Sequence, residues 1–293
     1  DARKQVFADE KAQSNDIDVT ISDGRWPDRA AIEGLKNVSN LSAPLLVNKL
    51  SCALWVEPEE ASEEMMTHLG GFAGIVEQGK YSLVEKNGQY RIQTLLFGLD
   101  RDGFETYCQK LGIDAKSYYQ DTSKLLIYNK TRDPQASTRR NTVQREFLKL
   151  EKGQKLTFTE KNQDDVVGDF QFELEVGDFV DFLPEELGSS STYSNFTLIA
   201  MMPMEHVSAL GASCCEKKQN SVKNLRVYYN LEGASLTDIE EASEEVEHVL
   251  NQYYGSGDYS VASLADREKM AADTRYAMTL IFTFLTGFLA VVG

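Results

Sequence analysis

The sequence predicts an α+β fold, in which strand–helix units flank a β-rich insertion and the last helix enters a membrane. Short alternating strands separated by glycines fill residues 120–188. Strand-then-helix patterns lie on both sides of that stretch, and the chain ends on a long uncharged run. These differences divide the chain into four predicted segments: 1–119, 120–188, 189–263 and 264–293.

The first segment carries the opening strand–helix unit. Asp16–Ser22 alternates as a strand does, and Asp28 can cap a helix with an apolar face. Asn87-Gly88 is the signal of a type I′ turn. The further predicted elements are a helix over Glu59–Val76, a hairpin over Tyr81–Gly98 and a helix over Gly103–Leu111.

The second segment is β-rich. Glycines 153, 168 and 177 separate short runs in which apolar and polar residues alternate. The predicted strands are Leu125–Tyr128, Lys155–Thr159, Phe170–Val176 and Phe179–Leu183.

The third segment returns to strands followed by helices. Its clearest helix covers Ser235–Tyr254, and Thr237 with Glu240 is its predicted capping box. Asp16–Val38 and Leu225–Tyr254 are candidates for two copies of one α+β layer. The other predicted elements are strands Phe196–Met201, Leu225–Tyr229 and Tyr259–Ala262, and a short helix Met204–Leu210.

The fourth segment is the C-terminal helix. Ser263 and Asp266 form a capping-box-like start, and no breaker follows Leu264, so one helix of about 29 residues is expected. Its last part, Tyr276–Gly293, has no charge and no polar stripe, which is typical of a membrane span of about 17 residues or more. The alternative is a buried terminal helix. A stiff helix shared by domain and membrane can transmit motion, whereas a Gly/Ser linker could not.

Composition excludes some partners. The net charge of −16 argues against nucleic acid as the main partner and against the bulk of the chain lying on anionic lipid. The four cysteines include no C-x-x-C pair; a Cys52–Cys108 bridge is possible but is not predicted, and a bond between Cys214 and Cys215 would be strained. The chain begins at Asp1 with no visible signal peptide, so we expect a processed chain or a piece of a longer one.

The sequence offers no catalytic, cofactor-binding or metal-binding residue, and no cofactor is predicted. His68, His206 and His248 are not at metal-ligand spacing. The glycines of Gly70–Gly74 lie in a helical pattern rather than a phosphate loop. Asp100–Glu105 resembles the start of a calcium loop, but it lacks the later ligands and is better explained as a turn with a helix cap. A binding or force-transmitting role fits this pattern better than catalysis.

The order of elements resembles the extracytoplasmic domain of MacB/FtsX-type ABC transporter permeases. The resemblance lies in NLRVYYNLEGASLTDIEEASEEVEHVLNQY (224–253) and in the strand and helix of 259–293. GQKLTF (153–158) and FELEVGDFVDF (172–182) look like the β-rich, sabre-like subdomain inserted in that family, with porter-like lobes on either side.

The resemblance implies a non-catalytic subunit in the cell membrane with most of this chain on the extracytoplasmic side. It also implies a separate cytoplasmic ABC ATPase subunit or domain, a second permease copy (homodimer or pseudo-dimer), and lipid around Tyr276–Gly293. Such a domain would pass ATP-driven motion to an extracytoplasmic substrate or partner. Two alternatives stay open: a single-pass adhesin or solute-binding protein with a C-terminal anchor, and a secreted hydrolase.

Overall fold

The described residues separate into two units, each with its own strands and helices. The structure is a computed structural model that describes residues 15–38, 43–79, 83–138, 141–160, 170–188, 195–214 and 216–292. Side chains are described at these positions except 160, 216–218 and 284–292. Unit 1 consists of the described parts of Asp1–Ile21, Asp28–Pro44 and Val227–Gly293, and unit 2 of those of Ser22–Pro27 and Leu45–Arg226. Strands and helices are numbered in chain order through both units.

The strands of unit 1 lie side by side in the order β12–β1–β11. They are β1 (Ile17–Ile21), β11 (Leu225–Tyr229) and β12 (Tyr259–Ser263). Of β11, the residues 227–229 belong to unit 1. β12 runs antiparallel to β1, with Val261 opposite Val19. The helices are α1 (Arg29–Lys36), α8 (Leu236–Asn251) and α9 (Leu264–Val292).

The two strand–helix segments that the sequence marks as candidate copies of one layer belong to unit 1 except for residues 22–27 and 225–226, which are assigned to unit 2. β1 is the neighbour of β11, and α1 packs on α8. The helices approach closely at Gly34, where an added Cβ would lie 2.9 Å from Cγ1 of Val249. Buried apolar side chains from both segments form the core: Ile17, Val19, Ile21, Leu35, Val227, Tyr229, Ile239, Val246 and Leu250.

Capping residues set the starts of both helices. The Asp28 carboxylate accepts a hydrogen bond from the Ala30 N–H at 2.7 Å, which confirms the predicted cap of α1. The capping box of α8 is formed by Ser235 and Asp238. The prediction of Thr237 and Glu240 was therefore wrong by two residues, because the chain is already helical at Leu236.

Six strands of unit 2 form a closed ring in the order β2–β8–β9–β5–β10–β4, and β4 returns to β2. The contacts β5–β9 and β4–β10 are parallel and the other four are antiparallel. The ring strands are β2 (Leu45–Val56), β4 (Gln89–Leu99), β5 (Lys124–Tyr128), β8 (Lys155–Glu160), β9 (Gln171–Phe179) and β10 (Thr197–Pro203). Beside it lie β3 (Val84–Lys86), β6 (Lys130–Arg132) and β7 (Gln144–Glu146).

The ring is filled rather than hollow. Alternate residues of its strands belong to one buried apolar cluster: Leu50, Cys52, Leu54, Ile92, Leu96, Leu125, Ile127, Leu156, Phe158, Leu174, Val176, Leu198, Ala200 and Met202. Closure also removes the unpaired strand edges that an open sheet would present. The helices of unit 2 are α2 (Glu63–Leu69), α3 (Gly71–Glu77), α4 (Arg101–Leu111), α5 (Ala115–Gln120), α6 (Met204–Ala212) and α7 (Glu216–Lys223).

The single helix predicted over Glu59–Val76 was wrong. A short 3₁₀ turn at Pro58–Glu60 precedes α2, and the chain breaks between α2 and α3. Gly70 has a φ of 71°, in the left-handed region that ends helices and favours glycine. The apolar spacing continues across this break, so periodicity alone did not reveal it.

The strand predicted over Phe179–Leu183 was also wrong, because β9 runs through Gly177 and ends at Phe179. Gly177 is the extra residue of a β-bulge, since Leu125 pairs with Val176 and Leu126 with Asp178. A Cβ at Gly177 would lie 2.6 Å from the Tyr118 hydroxyl oxygen, so glycine marks a close approach there.

Other local predictions are confirmed. Asn87 and Gly88 have φ of 55° and 84° in the turn between β3 and β4, and α4 covers the predicted helix Gly103–Leu111. Cys108 is buried and forms no disulfide, so the possible bridge to Cys52 does not exist. Residues 80–82, Gly168 and Cys215, which carried predictions, lie outside the described residues.

The strands of the predicted insertion 120–188 do not pair only among themselves. β8 pairs with β2, and β5 pairs with β10, both from the flanking segments. The two compact units therefore follow other boundaries than the four predicted segments.

The C-terminal helix is unbroken: α9 has 29 residues, as predicted. Among the residues whose side chains are described, no helix meets the length and hydropathy needed to span a membrane. The predicted span Tyr276–Gly293 extends beyond that part, since the side chains from 284 onward lie outside it.

Candidate functional site

The strongest candidate site is the start of α9 in unit 1. We call it the α9 root, and it consists of Asn15, Asp16, Asp18, Ser263, Asp266 and Arg267. β12 ends at Ser263 and α9 begins at the next residue, so no linker separates them. The Leu264 N–H donates to the main-chain oxygen of Asp16 at 2.8 Å, which extends the β1–β12 pairing into the helix. Helix and sheet are therefore joined through the main chain.

A buried cap fixes the direction in which the helix starts. The Ser263 hydroxyl accepts from the Asp266 N–H at 3.0 Å and donates to the Asp266 carboxylate at 2.6 Å. Ser263 is 1% exposed, so the serine of this cap is shielded from water, whereas Asp266 lies at the surface. The cap that the sequence predicts is thus confirmed, and it satisfies one of the unpaired N–H groups of the first helical turn.

Arg267 ties the first turn of α9 back to the beginning of β1. One guanidinium nitrogen donates to the Asn15 main-chain oxygen at 2.6 Å, and another lies 3.4 Å from the Asp18 carboxylate. A cation near a helix N-terminus is disfavoured by the helix dipole. The contacts with the Asp18 carboxylate and the Asn15 carbonyl oxygen offset this unfavourable interaction.

Asp16 joins the same region to the segment after β11. Asp16 is 4% exposed, and its carboxylate accepts from the Leu231 N–H at 2.7 Å. Its own N–H donates to the Tyr229 main-chain oxygen at 3.1 Å. Asn15 contributes a further bond, from its side-chain amide to the Asp18 carboxylate at 3.0 Å. Three separate stretches of unit 1 are thus tied together where α9 begins.

Beyond its root, α9 is largely exposed over the part whose side chains are described, up to residue 283. Residues 272–283 are all exposed, and Met270, Tyr276 and Phe282 keep 70%, 68% and 63% of their surface. The threonine hydroxyls of this stretch are satisfied within the helix. Thr274, Thr279 and Thr283 each donate a hydrogen bond at 2.8 Å to the carbonyl oxygen four residues earlier. An apolar helix with internally satisfied hydroxyls suits an apolar environment.

The sequence revealed only part of this site. The cap lies within four consecutive residues and was visible, but Arg267 and Asp18 are separated by 249 positions. The sequence contained one signal of the contact between Arg267 and Asp18. Arg267 is a basic residue in the first turn of α9, where the helix dipole disfavours a cation unless an anion lies nearby.

The histidines considered from the sequence do not come together. His68 and His248 are exposed on α2 and α8. His206 is buried on α6, where burial lowers its pKa against a smaller raising effect of Glu205 and Asp121. Its Nδ1 atom has no hydrogen-bond partner in the part of the chain that the structure describes. We interpret this buried histidine as a packing residue.

Asp100 occupies the N-cap position of α4, as the turn interpretation expects. Its carboxylate, however, makes no capping bond and instead accepts from the Leu46 N–H at 3.1 Å. Asp100 thereby fixes the start of β2, and this explains the Asp100–Glu105 pattern without calcium. Within the described residues, no group of three or more His, Cys, Asp or Glu could hold a metal ion.

Unit 2 also contains two open cavities. One of about 300 Å³ lies at the end of β9 and is lined by Asn129, Lys130, Glu146, Phe179, Val180 and Asp181. Another of about 580 Å³ is lined by Glu59, Glu60, Lys149, Glu151, Lys152, Gly153 and Gln154. The Lys130 ammonium in the first is paired with Asp181 at 2.7 Å, so it is not a preformed anion site.

No protein-family model matches the sequence, and no curated protein matches it significantly. Solved structures do. The periplasmic region of MacB from Actinobacillus actinomycetemcomitans is similar with a TM-score of 0.43 and 10% identity, over 92% of this chain and 98% of that one. The extracellular domain of the noncanonic ABC-type transporter YknZ from Gram-positive bacteria has a TM-score of 0.40 and 11% identity, over 84% and 100%.

A domain of a permease protein from Porphyromonas gingivalis is similar with a TM-score of 0.36 and 13% identity, over 85% of this chain and 91% of that one. These proteins are of the kind that the sequence pattern resembles. At such identities and TM-scores, the similarities assign no residue and carry no argument about function.

Proposed function

We propose that this chain is the extracytoplasmic domain of an ABC transporter permease subunit of the MacB/FtsX type. In this role it is not an enzyme. It transmits ATP-driven conformational change to an extracytoplasmic substrate or partner, and α9 is the element that carries the motion.

The observation that carries this proposal is the continuity of α9 with the fold of unit 1. The helix begins directly after β12, Arg267 ties it to Asn15 and Asp18, and it remains one helix through Val292. A displacement of α9 must move β1 and β12, because α9 is attached to them by the main chain after β12 and by the contacts of Arg267 with Asn15 and Asp18. A flexible linker would absorb the same displacement.

The exposed surface of α9 supports a membrane as its surroundings. Large apolar side chains at Tyr276, Met278, Leu280, Ile281 and Phe282 are 51–68% exposed, and no charged residue follows Arg275. Exposing so much apolar surface to water is unfavourable, by roughly 25 cal/mol for each Å². We therefore place lipid around Tyr276–Gly293 and the remainder of the chain on the extracytoplasmic side of the cell membrane.

The partners follow from the same proposal. A cytoplasmic ABC ATPase subunit or domain supplies the motion, and a second permease copy completes the transporter as a homodimer or pseudo-dimer. Residues 120–188 supply β5, β8 and β9 to the ring of unit 2, and we assign them to the sabre-like insertion, with 1–119 and 189–263 as the porter-like segments on either side of it in sequence. The resemblance of residues 224–253 and 259–293 to the entry of a second membrane helix supports this assignment.

The location can be tested with the full-length protein in its own cells. Thr157 is exposed on β8, so a T157C variant provides a thiol at the surface of unit 2. We expect a membrane-impermeant maleimide to label this variant in intact cells as fully as after lysis. The unsubstituted protein is the control for native cysteines. Labelling only after lysis would contradict an extracytoplasmic domain.

The partner is tested by purifying the same full-length protein in mild detergent. We expect an ATP-hydrolysing subunit to co-purify with it, and mass spectrometry identifies that subunit. An anchored adhesin or solute-binding protein would be labelled in intact cells but would bring no ATPase with it. This outcome would contradict the proposed role in an ABC transporter but would agree with the extracytoplasmic location.

A further inference from the structure

The cavity at the end of β9 combines an aromatic wall with charged side chains, and all of its walls belong to unit 2. Its volume of about 300 Å³ is at the lower limit of pockets that hold small ligands. It therefore suits one long side chain better than a cofactor. The walls are Asn129, Lys130, Glu146, Phe179, Val180 and Asp181.

The cavity lies in a notch where β9 ends and β7 begins to pair with the strand beside them. The Val180 N–H donates to the main-chain oxygen of Ile127 at 2.9 Å, and the Phe147 N–H donates to that of Asn129 at 3.0 Å. Asn129 and Val180 are 7% and 4% exposed, so they form a buried floor. The main-chain hydrogen bonds on both sides hold the walls of the notch in place.

Two phenylalanines at this notch are exposed on a rigid segment. Phe179 and Phe182 keep 41% and 47% of their surface, although apolar surface in water is unfavourable by roughly 25 cal/mol for each Å². The Tyr107 hydroxyl donates to the main-chain oxygen of Phe182 at 2.6 Å, and the two rings meet edge to face. Fixed, exposed aromatic rings are typical of surfaces that a partner covers.

The charges of the cavity favour a cation as its occupant. Two carboxylates and one ammonium line it, and Lys130 is already paired with Asp181 at 2.7 Å. Among the described side chains, no cation lies within 4 Å of the Glu146 carboxylate, and the neighbouring Arg145 is paired with Asp133. One negative charge is thus left over, in a chain whose net charge of −16 also attracts cations.

We propose that this cavity is an interaction site for an arginine side chain of a partner polypeptide. A guanidinium is planar, so it can stack on the exposed face of Phe179 while its N–H groups donate to the Glu146 carboxylate. The partner is a polypeptide rather than a free small cation, because the exposed ring of Phe182 lies outside the cavity walls and only a larger molecule would cover both rings.

The test is peptide binding to the purified full-length protein, immobilised in mild detergent and followed by surface plasmon resonance. The probe is acetyl-Ala-Ala-Arg-Ala-Ala-amide, and we expect a dissociation constant on the order of 1 mM, since a single side chain is bound. The matched control peptide contains citrulline, which keeps the shape of arginine without its charge, and should bind about tenfold more weakly. Binding is measured apart from location and ATPase association, so this inference and the proposed function can fail separately.

Variants of the protein show whether the peptide occupies this cavity. Glu146→Gln removes the charge and keeps the shape, and Phe179→Ala removes the ring; each should weaken binding of the arginine peptide at least fivefold. The matched controls are Glu240→Gln, at an exposed carboxylate on α8, and Trp26→Ala, at an aromatic residue that is 47% exposed outside the cavity. Both controls should bind as the natural protein does.

Three results would overturn the proposal. The first is equal binding of the citrulline peptide, or of a leucine peptide of the same length, since neither carries a cation. The second is tighter binding of a glutamate peptide, which would make Lys130 an anion site. The third is unchanged binding by Glu146→Gln, which decides the question even where Phe179→Ala does not fold.

Discussion

Arg267 donates a hydrogen bond to the main-chain oxygen of Asn15 across 2.6 Å, joining the first turn of the last helix to the residues before the first described strand. The contact closes a separation of 252 positions in the chain. Because the acceptor is a main-chain atom, the bond constrains the backbone where β1 begins.

The first prediction concerns Arg267 itself. Arg267→Ala removes the bond to Asn15 and the contact with Asp18, and should lower the free energy of unfolding by about 1 kcal/mol, since the guanidinium is partly exposed. Urea unfolding of the purified protein measures the change. Lys269→Ala removes an exposed cation two positions later and should change the stability little. Equal losses in the two variants would contradict a specific role of Arg267.

The second prediction concerns the buried carboxylate of Asp16. Asp16→Ala leaves the Leu231 N–H without its 2.7 Å acceptor in a buried place, which should cost about 2 kcal/mol. Amide hydrogen exchange should also rise at Leu231. The control is Asp273→Ala on the exposed part of α9, which removes the same charge. An unchanged exchange rate at Leu231 would show that this bond does not form in solution.

The third prediction concerns close packing of β4 against α6. A Cβ at Gly98 would lie 2.1 Å from the Asn48 side-chain oxygen and 2.8 Å from the Met204 Cα. Gly98→Ala should therefore destabilise unit 2 by about 2 kcal/mol through overpacking. Gly257→Ala meets nothing within 4 Å and should be close to neutral. Thermal unfolding, monitored by circular dichroism, measures the stability of both variants. A Gly98→Ala variant as stable as the natural protein would contradict the packing described.

The fourth prediction is a pH dependence that arises from His206. Burial holds its pKa below the ordinary value of 6.5 in the folded state, so between these values the unfolded chain binds more protons. Stability should consequently fall as the pH is lowered from about 7 through 6.5 toward the folded-state pKa. The His206→Phe variant should lack the part of the fall in stability with pH that arises from His206. Urea midpoints at pH 7.5 and 5.5 test it, and the same pH difference in both proteins would rule out His206 as the source.

The sequence predicted those features that are encoded by neighbouring residues. Ser263 with Asp266, Asn87 with Gly88, and Asp28 each act within four positions, and all three lie where they were predicted. Gly70 shows the limit of this approach. Apolar spacing continued across it, and only the observed φ of 71° reveals the break.

Pairing between distant strands could not be predicted in the same way. The return of β4 to β2 and the pairing of β8 with β2 depend on register and closure, which no local pattern specifies. For the same reason, only part of the α9 root could be predicted from the sequence. Its cap is formed by neighbouring residues, but the partners of Arg267 are distant in the chain.

The most direct test of the central claim is to soften α9 without changing its length. Ala272, Asp273 and Thr274 are exposed just beyond the root, and replacing all three by glycine weakens the helix by about 1 kcal/mol for each residue relative to alanine. The matched control replaces Asp273 and Thr274 by alanine. Amide hydrogen exchange at residues 15–18 and 263–267 is measured in the membrane-embedded complex with and without ATP.

We expect ATP to change exchange at the α9 root in the natural protein and in the alanine control, and to leave it unchanged in the glycine variant. An equal ATP effect in the glycine variant, or no ATP effect in the natural protein, would contradict transmission through a stiff α9.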